Sequence, residues 1–203
     1  MNLRISFSKW LAVFALAVPS LAATNELALG EVKIDALARA ISFPALVNMR
    51  TGAVEYLLVH EQGKVHESIF RTAVGAQKIH AAALLFSAKD TNGSPIVKVR
   101  DIKVSWNDAG KTNAARAPDL IFDKEHRRPL RETRWAYRGS RLIDGVFLAE
   151  RDGSIIAIMY DRDALIEQDT PAAADDENWE PVTASLPPVG SEVTISLLFE
   201  KPK

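Results

Sequence analysis

The sequence predicts a mainly β, α+β fold: one sandwich-like domain of antiparallel sheets with one buried helix and one short helix. Three observations carry this. Asp152-Gly153 stands between two apolar runs as a hairpin turn would. Gln62-Gly63 separates two further strand-like runs, 54–60 and 64–71. At the C-terminal end, Val193, Ile195, Leu197 and Phe199 alternate with polar or smaller residues, the period of a half-buried strand.

In chain order, 31–35 and 39–43 are short strands around a turn. Pro44 is expected to end the second, because proline cannot donate to a ladder. Runs 54–60 and 64–71 form a hairpin. In 76–87, Ile79, Ala82, Ala83 and Phe86 share a helical face and Leu84 and Leu85 make the rest apolar, which predicts a buried helix. Residues 89–95 form a loop. Strand 96–106 changes parity between Val97, Val99 and Ile102, Val104, Trp106, so it needs a bulge near Arg100-Asp101 or two separate strands. Residues 107–110 form a turn, and 111–130 show no clear period. The chain returns to β at 134–138 and 146–160. Asp161 is placed to cap a short helix over 162–167. Residues 169–180 are acidic and read as a mobile surface loop. No repeat or linker divides 23–203, so it is expected to be one domain.

Residues 1–22 read as a secretory signal peptide. Arg4 and Lys9 precede an apolar run, Pro19 breaks it, and Ser20-Leu21-Ala22 supplies small residues for cleavage after Ala22 or Ala23. The run is shorter than the ~20 residues of a spanning helix, so no membrane span is expected after cleavage and the protein is placed in the periplasm or medium. With no cysteine, the chain has no lipobox and is not a lipoprotein. Disulfides, thiol catalysis and cysteine-ligated iron–sulfur clusters are excluded as well. The net charge of −1 becomes more negative when Arg4 and Lys9 are removed, which argues against nucleic acid as a partner and leaves an extracytoplasmic ligand or protein.

The chemistry-bearing residues concentrate in 63–86. In a regular hairpin turning at Gln62-Gly63, His66 and Glu67 point to opposite faces. Glu67 then lies diagonal to His60, forming a structural polar pair, while His66 shares a face with Lys64 and Ser68. If the helix covers that face, His66 and His80 converge as a ligand-binding or divalent-metal pair. Two imidazoles fall short of the three or four ligands of a usual zinc site. Hydrogen bonds to core-edge carbonyls are the plainer alternative. Ser68 is a candidate nucleophile without a G-x-S-x-G elbow around it. Lys124, Arg127, Arg128, Arg131, Arg134, Arg138 and Arg141, with Trp135 and Tyr137 among them, form either an anion or acidic-glycan surface or a solvated face paired with the acidic stretch. Trp106 fits the core, and Trp179 is the candidate exposed aromatic.

Several segments together resemble the YdjY-type domain family of bacterial extracytoplasmic proteins: F-P-A-L-V-N (43–48), G-A-V-E-Y-L-L-V (52–59), G-K-V-H-E-S-I-F (63–70) and I-H-A-A-A-L-L-F (79–86). R-G-S (138–140), D-G-S-I-I-A-I (152–158), D-A-L-I (163–166) and L-P-P-V-G-S-E-V-T (186–194) extend the likeness over most of the chain. The resemblance implies a small exported domain and carries over no established activity, cofactor or catalytic residue. The expectation is a non-catalytic binding or accessory module. The alternative is a metal-assisted hydrolase using the His66/His80 region.

Overall fold

The computed structural model describes residues 26–89, 91–130 and 133–201, so the leader and Arg131 lie outside the described residues. The β-rich class with two α-helices is the observed one. Among the described residues, no helix is long and apolar enough to cross a membrane.

One eleven-stranded sheet organises the chain. Its strands are β1 (Glu26–Leu29), β2 (Val32–Asp35), β3 (Ala40–Val47), β4 (Tyr56–His60), β5 (Ser68–Thr72), β6 (Val99–Asp108), β7 (Lys111–Arg116), β8 (Trp135–Tyr137), β9 (Ser154–Ala157), β10 (Ile166–Gln168) and β11 (Glu192–Phe199). The order across the sheet is β8-β10-β9-β4-β5-β3-β11-β6-β7, and the β1–β2 hairpin joins the first half of β3. Two helices pack beside it, α1 (Ala76–Leu84) and α2 (Leu148–Asp152).

The β3–β11–β6 spine follows the sequence pattern closely. Val193, Ile195, Leu197 and Phe199 are all buried against β3 and β6. The parity switch in β6 is a bulge. Leu198 faces Asp101 and Phe199 faces Val99, so Arg100 is the extra residue and the inward set changes from Val99 to Ile102 and Val104. Ala109 and Gly110, at φ of 47° and 83°, make the two-residue turn into β7, which the aperiodic segment 111–130 had concealed.

Pro44 does not end β3. Its carbonyl accepts the Thr72 hydroxyl at 2.6 Å, on the edge that β2 and β5 share. In a strand a residue's N and C=O point the same way, so the missing N–H faces the interval between those partners, where the ladder makes no demand on it.

The predicted 54–60/64–71 hairpin is corrected. β4 and β5 run parallel, with Tyr56 beside Ser68 and His60 beside Thr72. The unbroken apolar run from Tyr56 to Val59 is the mark of a strand buried on both faces, and all four residues are fully buried. Residues 61–67 carry the return. Seven residues reach roughly 23 Å, enough to run back along a five-residue strand, and they end in a 3₁₀ turn at Val65–Glu67.

Asp152-Gly153 is likewise not a hairpin. Leu148–Asp152 is helical and Gly153, at φ 70°, caps it in the left-handed region, a role glycine fills as readily as a turn. The helix expected over 162–167 gives way to β10. Asp161 does accept the Asp163 amide at 2.8 Å, but Ala164 to Gln168 are all buried, as in a strand between two neighbours. α1 is amphipathic rather than apolar all round. Ala76, Ile79, Ala82 and Ala83 are buried, while Gln77, Lys78 and Leu85 face solvent. Trp179, expected on a mobile surface loop, is fully buried in a strand paired with Ile121–Asp123.

Gly63 and Gly153 lie against each other. A Cβ on Gly153 would sit 2.8 Å from the Gly63 Cα, and one on Gly63 would sit 2.8 Å from the Asp152 carbonyl oxygen. Gly153→Ala should therefore lose the ~1–2 kcal/mol of left-handed strain plus a further ~1–3 kcal/mol of overpacking. Gly145→Ala is the control. Gly145 has φ 79° with nothing within 4 Å of its Cβ position, so only the strain should appear. Urea melts of both variants check this, and equal losses would show that the close packing contributes nothing.

Candidate functional site

The structure separates His66 from His80. His66 is exposed on the 3₁₀ turn, with its Nε2 3.1 Å from a Glu67 carboxylate oxygen. The opposite-face expectation fails because this segment is a helical turn, in which adjacent residues no longer alternate. The expected His60–Glu67 pair is replaced too. His60 Nδ1 accepts the Gln62 amide at 3.3 Å, while Glu67 meets His66 and lies against Glu55. Burial, then the Glu67 carboxylate, push the Glu55 carboxyl above its ordinary value. Ser68 is fully buried and donates to the Phe70 carbonyl at 2.7 Å, which places it in the core rather than at a surface where it would meet a substrate.

Lys64 turns inward from the crossover. Its ammonium donates to the Tyr56 hydroxyl at 2.8 Å and lies 5.0 Å from that ring's centroid, and Tyr56 donates to Asp161 at 2.9 Å. Burial pushes the Tyr56 phenol up to about 12, so it stays protonated and serves as the donor. Burial works against the charge on Lys64, but the Tyr56 hydroxyl and the Asp161 and Glu55 carboxylates outweigh it and hold the ammonium above its ordinary value. This chain of contacts ties the crossover to the segment after β9.

His80 is brought to the basic stretch instead. It projects from α1 onto Tyr137, with 2.8 Å between Nδ1 and the hydroxyl and the rings stacked at 6.0 Å, and onto Phe147 at 5.3 Å. Gly139, at φ 72°, lets the backbone pass over both rings. A Cβ there would lie 3.3 Å from His80 and 3.4 Å from Tyr137. Burial keeps the Tyr137 phenol protonated, and its hydroxyl shares one hydrogen bond with His80 Nδ1. Gln77, His80, Gly139, Ser140, Leu142 and Phe147 line a recess of about 370 Å³.

On the other side of Ser140 is a larger cavity of about 640 Å³, lined by Arg138, Ser140, Arg141, Tyr160, Arg162 and Glu167. Two of its arginines are held by carboxylates, one of which, Glu167, also lines the cavity. Arg138 Nε donates to Glu167 at 2.6 Å and Arg141 Nε to Asp163 at 2.6 Å. Glu167, only 4% exposed, is itself anchored by the Asp161 amide at 3.0 Å. The bonds through Nε leave terminal guanidinium nitrogens of Arg138 and Arg141 available toward the cavity, apart from a 3.6 Å approach of one Arg138 nitrogen to Asp169. Arg162 makes no ion pair among the described residues. Ser140 fixes the rim, donating to the Asp163 carbonyl at 2.6 Å and accepting the Ala149 amide at 2.9 Å.

Of the remaining expected site residues, Arg134 is exposed and donates to the Asp169 carbonyl at 3.2 Å, and Trp135 is buried. The sequence reading missed Tyr160 and Arg162, which only the fold brings opposite Arg138. It also missed the grouping of Asp123, Glu125 and His126, whose ligand atoms lie within 4.8 Å of one another. The D-K-E-H spacing in a turn was the signal for that group. Asp123 is already engaged there by Asn178 at 2.9 Å and His126 at 2.8 Å.

A family model described as the YdjY domain matches residues 32–198, most of the chain. No curated protein and no solved structure matches it.

Burial lowers the His80 pKa below its ordinary 6.5. Below about pH 6.5 the unfolded chain therefore takes up this proton before the folded one does. The stability linked to His80 is complete above that pH and declines as pH falls toward the folded value. Melting temperatures of the wild type and His80→Gln between pH 7.5 and 5 should show the wild type losing ground to the variant on acidification. Parallel profiles would rule out the burial effect.

Proposed function

The chain belongs to the YdjY domain family, and we propose that it is an exported, non-catalytic module that binds an anionic ligand between Arg138, Arg141 and Arg162. The observation that carries this is the preorganisation of the guanidinium groups. Exposed ion pairs contribute little to stability, typically under ~1 kcal/mol. A buried glutamate spent on aiming one arginine into an open cavity is better accounted for by recognition. Planar guanidinium forks suit carboxylate, phosphate and sulfate groups. Export is the reading that the charged, apolar and small residues of 1–22 support.

A metal-assisted hydrolase using the His66/His80 region, the alternative reading, would have to work with two separated imidazoles. One imidazole faces Glu67 at the surface and the other is held between Tyr137 and Phe147.

Titration calorimetry with phosphate, sulfate, acetate and glucuronate is the test. At least one anion should bind, more weakly as salt rises. Arg138→Ala and Arg141→Ala should each weaken it about tenfold or more, the equivalent of losing a charge-assisted hydrogen bond of ~1.5–3 kcal/mol. Arg128→Ala, at a different recess, should not. Absence of binding by all four anions, or full binding in an Arg138→Ala/Arg141→Ala double variant, would refute the proposal.

A further inference from the structure

The arginine cavity ends at Ser140, and Ser140 is also the wall of the recess holding His80. The character of the surface changes there. One side presents three guanidinium groups, and the other is lined by Leu142, Phe147 and the His80 ring. Leu142–Ile143 and Val146–Phe147 form a small hairpin, closed by Asp144 and Gly145 at φ of 50° and 79°, the geometry of a tight turn that holds its strands in fixed register. Leu142, Ile143 and Val146 on it are 70%, 44% and 43% exposed. An apolar cluster left open beside a charged cavity marks an interaction surface.

Resting on the anion-binding reading, we propose that the ligand is a monomeric anionic amphiphile. Its phosphate- or carboxylate-type head lies among Arg138, Arg141 and Arg162, and its alkyl chain lies over the His80 recess and along the 142–147 hairpin. Charge selects this occupant. A second copy of the chain docked through the same face in a two-fold arrangement would bring each set of arginines toward its own counterpart. Glu167 and Asp163 are spent on the Nε atoms of Arg138 and Arg141, and Asp161 accepts from the Tyr56 hydroxyl, which leaves Arg162 as the cation without an ion pair among the described residues for the ligand head. Asp144, on the hairpin turn, would oppose insertion into an anionic bilayer. A monomeric ligand lying lengthwise along the hairpin avoids that conflict.

The test is calorimetric binding of methyl phosphate, dodecyl phosphate below its micelle concentration, and dodecanol to the mature protein. Dodecyl phosphate should bind at least tenfold more tightly than methyl phosphate, since burying even a few methylenes suffices for that, and more tightly than dodecanol. The dodecyl-to-methyl ratio should fall at least fivefold in Leu142→Ser and in Val146→Ser. It should hold in Leu37→Ser, whose exposed side chain lies on another turn. Equal affinities for the two phosphates would overturn the amphiphile while leaving anion binding in place. Binding of neither would remove the anion reading itself, and this inference with it. Dodecanol binding as well as dodecyl phosphate, tighter binding to anionic phospholipid vesicles than to the monomer, or a ratio insensitive to Leu142 and Val146 would each overturn it.

Discussion

The contact on which the candidate site depends is between two glycines. Gly63 rides on the crossover from β4 to β5, and Gly153 ends α2, and the two backbones approach as no residues with a Cβ can. The His60 amide donates to the Gly153 carbonyl at 2.8 Å, so the end of β4 is joined to the same point. From there α2 distributes the constraint. Its Glu150 accepts the Gln77 amide at 2.9 Å, capping α1, which has no side-chain cap of its own at Gly75. Its Ala149 amide holds the Ser140 hydroxyl. One short helix thus sets the position of α1, and with it His80, against the loop that carries Arg138 and Arg141. Gly75 belongs to the same arrangement, since a Cβ there would lie 2.7 Å from the Glu150 carboxylate.

The electrostatics of the two polar centres differ in kind. At Tyr56, Lys64 and Asp161 every group has its partner inside the protein, and the phenol is buried beyond reach of solvent. Such chains specify how segments dock. At the arginine cavity, the carboxylates Glu167 and Asp163 take the Nε donors of Arg138 and Arg141, and Glu167 itself lines the cavity. A carboxylate bonded through Nε fixes the plane of the fork and leaves its terminal N–H groups to donate elsewhere. This is why the cluster around Lys64 reads as architecture, and the one around Arg138 as a binding site.

Much of the fold was legible because its cause is local. The alternation from Val193 to Phe199, the parity switch at Arg100 and the turn at Ala109-Gly110 reflect inward and outward faces of single strands, and these survive into the sheet unchanged. The errors share a cause as well. Gln62-Gly63 and Asp152-Gly153 have the composition of hairpin turns, yet each glycine is demanded by the other across the fold. The residue type is correct for either use, and only the partner decides. Pro44 reads as a strand terminator until the interval between β2 and β5 removes the demand on its missing donor.

The candidate site divides the same way. The sequence by itself determined that the chain is a cysteine-free, β-rich domain of the YdjY family, that its histidines concentrate in 60–80, and that arginines gather before residue 142. It carried no information on which of these meet, because facing is a property of segments distant along the chain. The tertiary structure parted His66 from His80 by turning 65–67 into a helical turn, and brought His80 to Tyr137. It also set Arg162 across from Arg138 by making 166–168 a strand beside 135–137, where the local pattern had favoured a helix. Backbone pairing made that choice. A strand at this place buries five consecutive residues and completes two ladders, and no helix there does both.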